Sequence, residues 1–433
     1  MKRQRLIIRA IPALIATAFS GYAAAAGFAL LEQNASGIGN AYAGSAAVAD
    51  NASTIFYNPA GMTQLQAREF SVGLSMVKTS NEFTDNGSIP LALAGTGNGG
   101  DAGGWGFIPN GYLSWALNPD LYIGVGFGAP FGLKTEYDAP WIGAAQAISF
   151  DVKTYNINPS IAYRINPMVS IGAGFSWQRL EAEYIRRVAV VPVPVAPGVT
   201  VPAGVAASTN VTLDADGDAW GWNLGALFTL SPSTKVGVSY RSTISHEIDG
   251  SLSVDAPLSA ASSGARAEIK LPDMFILSAT QQIDQRWELL GDVSWTGWSS
   301  IPNVQIVRTS GAASGTIAQT LDTDFQDTWR IALGANYKLD DMWKLRFGLA
   351  WDETPVKGAS TRLVSLPDED RYWFTFGAQY VPVKNNRLDF GMAYLYVQDA
   401  DIDNNQLLTG RGLVKGTYEN SVWIFGAQYS MSF

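Results

Sequence analysis

Read backwards from its end, the chain alternates. Phe433, Met431, Tyr429, Ala427, Phe425 and Trp423 fall on one face of an extended segment, and Ser432, Ser430, Gln428 and Gly426 fall on the other. A period of two with one apolar face marks a β-strand lying between two environments. The pattern recurs far from the end. Trp343, Leu345, Phe347, Leu349 and Trp351 are separated by Lys344, Arg346, Gly348 and Ala350, with aromatics at both ends and aliphatics in the middle. A strand crossing two membrane interfaces needs that order. A chain built of such strands reads as a transmembrane barrel, with lipid outside and a polar or small-residue lumen inside.

Composition agrees with this and excludes much else. Charged residues make up 15% of the 433-residue chain, against ~25% in ordinary soluble domains. There is no Cys, so disulfide and thiolate–metal chemistry are absent, and the single His and formal charge of -9 leave no metal cluster, cofactor motif or nucleic-acid patch. Lys2, Arg3, Arg5 and Arg9 precede an apolar run of ~10 residues and then Ala23 to Ala26, which reads as a signal peptide over residues 1–25, cleaved after Ala25 or Ala26. No later stretch is long and apolar enough for a membrane helix, so insertion must use strands, in a bacterial outer membrane.

Alternating segments begin near Glu69, Phe107, Leu121, Ile148, Val169, Thr209, Lys235, Ala267, Trp287, Asp322, Trp343, Tyr372, Arg387 and Tyr418. They predict an all-β, antiparallel transmembrane β-barrel of about 14 strands over residues 67–433, an even number as closed bacterial barrels require. Short turns such as Asn118-Pro119-Asp120, Asn166-Pro167, Asp284-Gln285 and Asp340-Asp341 alternate with long connections such as 188–208, 255–264 and 354–370. Short turns are periplasmic in such barrels. Closure would pair the last strand with the first, near residues 69–80.

Two segments break the pattern. In the third strand Leu121, Ile123, Val125 and Phe127 would face lipid, while the inner lane is Gly124, Gly126 and Gly128, followed by Pro130 and Gly132. Glycines permit a bend or a close approach, and Pro130 removes a ladder donor. Space for something packed inside and a kink that opens the wall are both consistent with that lane. Residues 26–66 fit no strand: they are rich in Gly, Ala, Ser and Asn, with Phe28, Leu30 and Leu31 at the start and Asn58, Pro59 and Ala60 near the end. A disordered tail would be more charged, so a compact plug inside the lumen is expected.

The block GFALLEQNASGIGNAYAGSAAVADNASTIFYNPAGM, the run from Gly128 through Ala129, Pro130, Phe131, Gly132, Leu133, Lys134, Thr135 and Glu136 to Tyr137, and Asn156-Ile157-Asn158-Pro159-Ser160 resemble the FadL/TodX family of outer-membrane transporters for long-chain fatty acids and other hydrophobic compounds. The resemblance implies that residues 26–66 form a hatch closing a 14-stranded barrel, and that ligands leave sideways at the kinked third strand.

Apolar cargo suits the outer loops. Val191, Val193, Val195 and Val199 lie in a valine–proline run, and Leu258 lies in the next outer loop. Exposed apolar surface of that kind marks a capture site, or else a stiff loop folded over the barrel mouth. Inward-facing cations are Arg164, Arg241, Arg330, Lys344 and Arg346. Each is a candidate for a carboxylate head group, or a partner for Asp and Glu. Expected partners are a hydrophobic small molecule, outer-membrane lipid and lipopolysaccharide, and the barrel-assembly machinery through Phe433; a monomer is expected, and no nucleic acid. A general or aromatic-hydrocarbon diffusion porin is the first alternative. An outer-membrane hydrolase is the second, resting on His246 with Ser242, Ser245 and Asp249 nearby; no catalytic residue is assigned.

Overall fold

The computed structural model describes residues 27–89, 96–188, 193–196, 199–201 and 209–433. The expected signal peptide and its cleavage site lie outside the described residues. Fourteen antiparallel staves form the wall: β1 (Arg68–Asp85), β2 (Trp105–Ala116), β3 (Leu121–Gly128, resuming at Gly132–Glu136), β4 (Ser149–Asn166), β5 (Val169–Arg187), β6 (Asn210–Ser231) and β7 (Thr234–Arg241 and Ile244–Val254). They continue as β8 (Ser263–Leu271 and Met274–Gln282), β9 (Trp287–Thr296 and Val304–Arg308), β10 (Ile317–Leu321 and Thr328–Lys338), β11 (Trp343–Asp352), β12 (Arg371–Val383), β13 (Asn386–Val397 and Ala400–Gln406) and β14 (Gly412–Ser432). The seam joins β1 to β14 in register from Glu69 opposite Ser432 to Asp85 opposite Gly416, so the last stave closes the barrel on the first.

The turns follow from their residues. Asn118 Oδ1 accepts from the amides of Asp120 and Leu121, both at 2.9 Å, and Asn166, Asp284 and Asp340 cap their own turns in the same way. The alternation sorts side chains as expected on the outside. Leu349, Phe374 and Leu333 are exposed on the outer face, and Trp343 stacks on Tyr380 at 4.6 Å. An apolar surface this continuous is stable only against lipid.

The inside departs from the expected lumen. Its outer half is apolar rather than polar or small: Leu180, Ile248, Leu271, Ile306 and Tyr418 point inward, and Trp298, Val356, Val364 and Leu366 reach in from the connections to pack on them. Arg362, 1% exposed, ties down residues 354–370 through hydrogen bonds to the carbonyls of Asp368 and Asp401 and an ion pair with Glu369. With water excluded by these infolded loops, an apolar lining costs nothing in hydration and contributes burial energy.

Residues 27–66 fill the inner half. They contain one helical turn, α1 (Thr54–Tyr57), and short 3-10 turns. The wall lets them approach to backbone contact. A methyl on Gly39 would lie 2.7 Å from the Cα of Gly377, and one on Gly225 would lie 2.0 Å from Asn58 Oδ1. Asn58 in turn donates to the carbonyls of Ala46 and Ala226 at 2.7 and 2.9 Å.

Candidate functional site

The wall is incomplete at one place. β2 and β3 pair from Ala116 opposite Tyr122 up to Gly111 opposite Phe127, and no further. β3 leaves its ladder at Ala129, Pro130 and Phe131 and resumes at Gly132 along β4 alone. Pro130 has no amide to give, and one residue more lies on β3 than on β4 between the two stretches, so the strand bows inward.

The N-terminal segment supplies the missing partner. Leu30 N donates to Pro130 O at 2.8 Å, and Gly132 N donates to Phe28 O at 2.9 Å. The Gln33 carboxamide donates to Ala129 O at 2.7 Å and accepts from Ala129 N at 3.2 Å. The glycine lane is packed as closely: a methyl on Gly124 would meet Ile55 Cδ1 and Met62 Sδ at 2.6 Å, and one on Gly128 would meet Gln33 Oε1 at 2.3 Å. α1 therefore rests directly on the lane. The start of the segment is held from above, where Gly27 N donates to Asp368 Oδ2 at 2.9 Å.

Beside the break lies a closed, greasy slot. Phe28, Leu133, Phe150, Ile301, Phe325 and Leu366 are among its walls, with a volume of about 50 Å³. That holds only a few waters. Phe28 stands between slot and break, its ring 4.8 Å from Trp298 and 6.0 Å from Phe131. Leu31 packs against the inner cluster, while Pro59 and Ala60 sit fully buried against β5 and β6.

The five inward cations are dispersed. Arg164 lies at the periplasmic rim, donating to Thr63 O and 4.0 Å from Asp120. Arg346 is neutralised between Asp389 at 2.8 Å and Asp50 at 3.1 Å, and Lys344 belongs to the same charged cluster. Arg330 donates to Ala41 O at 2.6 Å and lies 5.0 Å over the Trp373 ring. Arg241 is buried and reaches Phe56 O at 3.0 Å and Ser176 Oγ at 3.2 Å.

Sequence reasoning missed Gln33 and a second pair of arginines. Arg186 is 7% exposed at the outer end of β5, donating to Gln319 Oε1 at 2.5 Å, with no carboxylate in ion-pair range among the described residues. Arg411 lies close enough to repel it, and its Nε is buried with no partner. No period or motif marks either one. Of the outer-loop residues, Leu258 is buried in the apolar cluster, Val191 lies outside the described residues, and so do the side chains of Val193, Val195 and Val199.

The hydrolase alternative finds no assembled triad. His246 points inward to Gln178 Oε1 and Gly217 O, whereas Ser245 bonds Glu268 and Asp249 pairs with Arg266 on the outer surface.

Comparison with known proteins accords with this architecture. The chain is 29% identical to the long-chain fatty acid transport protein of Escherichia coli strain K12 over 462 aligned residues, covering all of both chains. It is 30% identical to outer membrane protein P1 of Haemophilus influenzae, covering 88% of this chain and 89% of that one. Its fold is that of a Pseudomonas aeruginosa FadL homologue (TM-score 0.85, 22% identity, 94% of this chain and 100% of that one) and of the Ralstonia pickettii toluene transporter TbuX (0.64, 17%, 93% and 100%). Residues 16–433 match the model of the outer membrane protein transport protein family (OMPP1/FadL/TodX), and the chain belongs to that family of outer-membrane proteins.

Proposed function

We propose that the protein carries hydrophobic small molecules, long-chain fatty acids foremost, across the outer membrane and releases them sideways through the break in β3. The observation that carries this reading is the completion of the wall by a separate segment, 28–33, beside an apolar slot. Residues 26–66 act as the hatch, with Phe28, Leu30, Leu31, Asn58, Pro59 and Ala60 seating it. Gly124, Gly126, Gly128 and Pro130 form the lateral opening, and Val191, Val193, Val195 and Val199 belong to the capture surface, whereas Leu258 is buried in the apolar lining beneath the outer loops.

Energetics favour the sideways route. Each enclosed methylene is worth ~0.8 kcal/mol, so a chain of ~16 carbons gains on the order of 10 kcal/mol in an apolar path. Release into periplasmic water would forfeit that gain, and release into lipid keeps it. Below the slot the straight path also meets the hatch and the Arg346, Asp50 and Asp389 cluster. A charge-assisted bond adds about 1.5–3 kcal/mol, so a head group orients what the tail binds. Arg186 and Arg411 at the mouth are the pair placed to hold a carboxylate on entry, more so than Arg346, which already has two acidic partners.

Catalysis has no part in this reading. The protein works as a monomer in lipid and lipopolysaccharide, delivered by the barrel-assembly machinery through Phe433. Uptake of fatty acids, alkanes and monoaromatics by a deletion strain, with and without the gene restored, tests the proposal. Unchanged uptake of every compound overturns it, and a large steady ion current through the reconstituted protein would favour an open porin.

A further inference from the structure

A second polar cluster lies deeper in the barrel than the arginine pair at the mouth. Arg241 on β7 and Asn223 on β6 are direct cross-strand partners, both inward and both buried, at 7% and 1% exposure. Arg241 has no carboxylate in ion-pair range among the described residues. Its contacts are neutral: Ser176 Oγ, the Phe56 carbonyl, and the Phe56 ring 4.3 Å from its Cζ. Asn223 Oδ1 accepts from Asn158 Nδ2 at 3.0 Å, which turns its amide nitrogen the other way, buried and without a partner. A buried guanidinium without a counter-charge beside a buried amide donor without an acceptor is costly unless an anion visits both.

The surroundings say where that anion would go next. Following register partners around the wall, Arg241 leads to Asn223, Gly174, Ser160 and then Gly124, the first glycine of the lane under α1. The row is paved with amide, hydroxyl and glycine, so it bears a polar head, whereas the slot above accepts only a tail. Phe56, which sits on Arg241, is the neighbour of Ile55, which plugs Gly124 and Gly126.

The geometry points to an anion station at Arg241 and Asn223 that receives the carboxylate of an amphiphilic ligand as the hatch yields, and hands it toward the opening in β3. This rests on the uptake reading above. The station makes the inner path selective for acids, since an uncharged ligand of equal length gains nothing from Arg241.

The test is transfer of a long-chain fatty acid and of the fatty alcohol of the same length through the reconstituted full-length protein, read as the acid-to-alcohol ratio. Two variants are compared with wild type: Arg241→Gln, which removes the charge, and Asn223→Asp, which keeps Arg241 and its hatch contacts but gives it a permanent counter-ion. Both are expected to lower the ratio about tenfold, the worth of one charge-assisted bond. Arg241 acting only as a fastener for the hatch predicts a ratio unchanged in Asn223→Asp, and that result overturns the station. Heat-modifiable migration confirms that each variant is a closed barrel, and if either misfolds, Asn223→Leu, expected to lower the ratio by a smaller factor, decides. A wild type that passes neither compound defeats the uptake reading itself, which is distinguishable from a wild type that passes both with indifferent variants.

Discussion

Gln33 and Ala129 exchange two hydrogen bonds across the place where the third stave leaves its ladder, so one side chain of the N-terminal segment satisfies both backbone groups of a wall residue. Replacing Gln33 by Ala removes both and leaves a buried amide and carbonyl bare, a cost of about 1–3 kcal/mol for each group. Amide exchange at residues 28–33 and 128–132 should quicken at least tenfold, while exchange in β11 stays as it was. Equal exchange in the two proteins would mean that Gln33 does not hold the break closed.

The glycine lane gives a steric counterpart. Gly124→Val puts its Cβ 2.6 Å from Ile55 Cδ1 and Met62 Sδ, where there is no room for it. Overpacking of this kind costs about 1–3 kcal/mol. The midpoint of urea unfolding should fall, and Ile55→Ala in the same chain should restore part of it. Failure of that rescue would show that α1 does not rest on the lane.

Asp368 gathers three groups: Gly27 N, Thr354 Oγ1 at 2.8 Å, and the Arg371 guanidinium. Asp368→Ala removes the ion-pair partner of buried Arg371 and leaves it Asp352 and Glu32 as acidic neighbours, so the cost stays below the about 3–5 kcal/mol of a wholly broken buried pair. Limited proteolysis should then cut within residues 27–35 faster than in the wild type, where most of them are buried. Asp368→Ala combined with Arg371→Met should recover part of the stability, because the buried charge leaves with its ion-pair partner.

The hatch should also respond to pH. Burial pushes the Glu32 carboxyl up to about 7, against the pull of its own backbone amide and of Arg330 and Arg371 and with the push of Asp352. For an acid whose folded pKa is raised, the stabilising effect is complete below the unfolded value near 4.5 and is lost as pH rises toward 7. Exchange protection of the hatch should therefore be greater at pH 5 than at pH 8. Glu32→Gln should flatten that difference, and a Glu32→Gln protein with the same pH profile as wild type would assign it elsewhere.

The wall was legible because lipid is a uniform neighbour. Any residue facing it must be apolar, so Trp343 to Trp351 declares its sidedness without knowledge of the rest of the chain, and each of the fourteen strand starts read from sequence falls in or beside a stave. The inner face has no uniform neighbour. Leu180 and Ile248 face an apolar filling that includes Val356, Val364 and Leu366 of residues 354–370, and no local pattern announces that filling. Gln33 and Arg186 were illegible for the same reason: what they meet, Ala129 and Gln319, lies 96 and 133 residues away, and no local period encodes such a meeting. Arg346 was visible as an inward cation, but its two acidic partners, which decide its role, were not.

The tether between the N-terminal segment and the wall lies at the seam. Residues 66–67 run straight from the hatch into β1, and β1 is one lip of the seam that closes on β14. The Gly39 and Gly377 backbones meet with no room for a side chain between them, so the segment fits its wall without slack. A chain that closed its seam without residues 27–66 in place would leave the inner half of the barrel unfilled, a hole in the membrane.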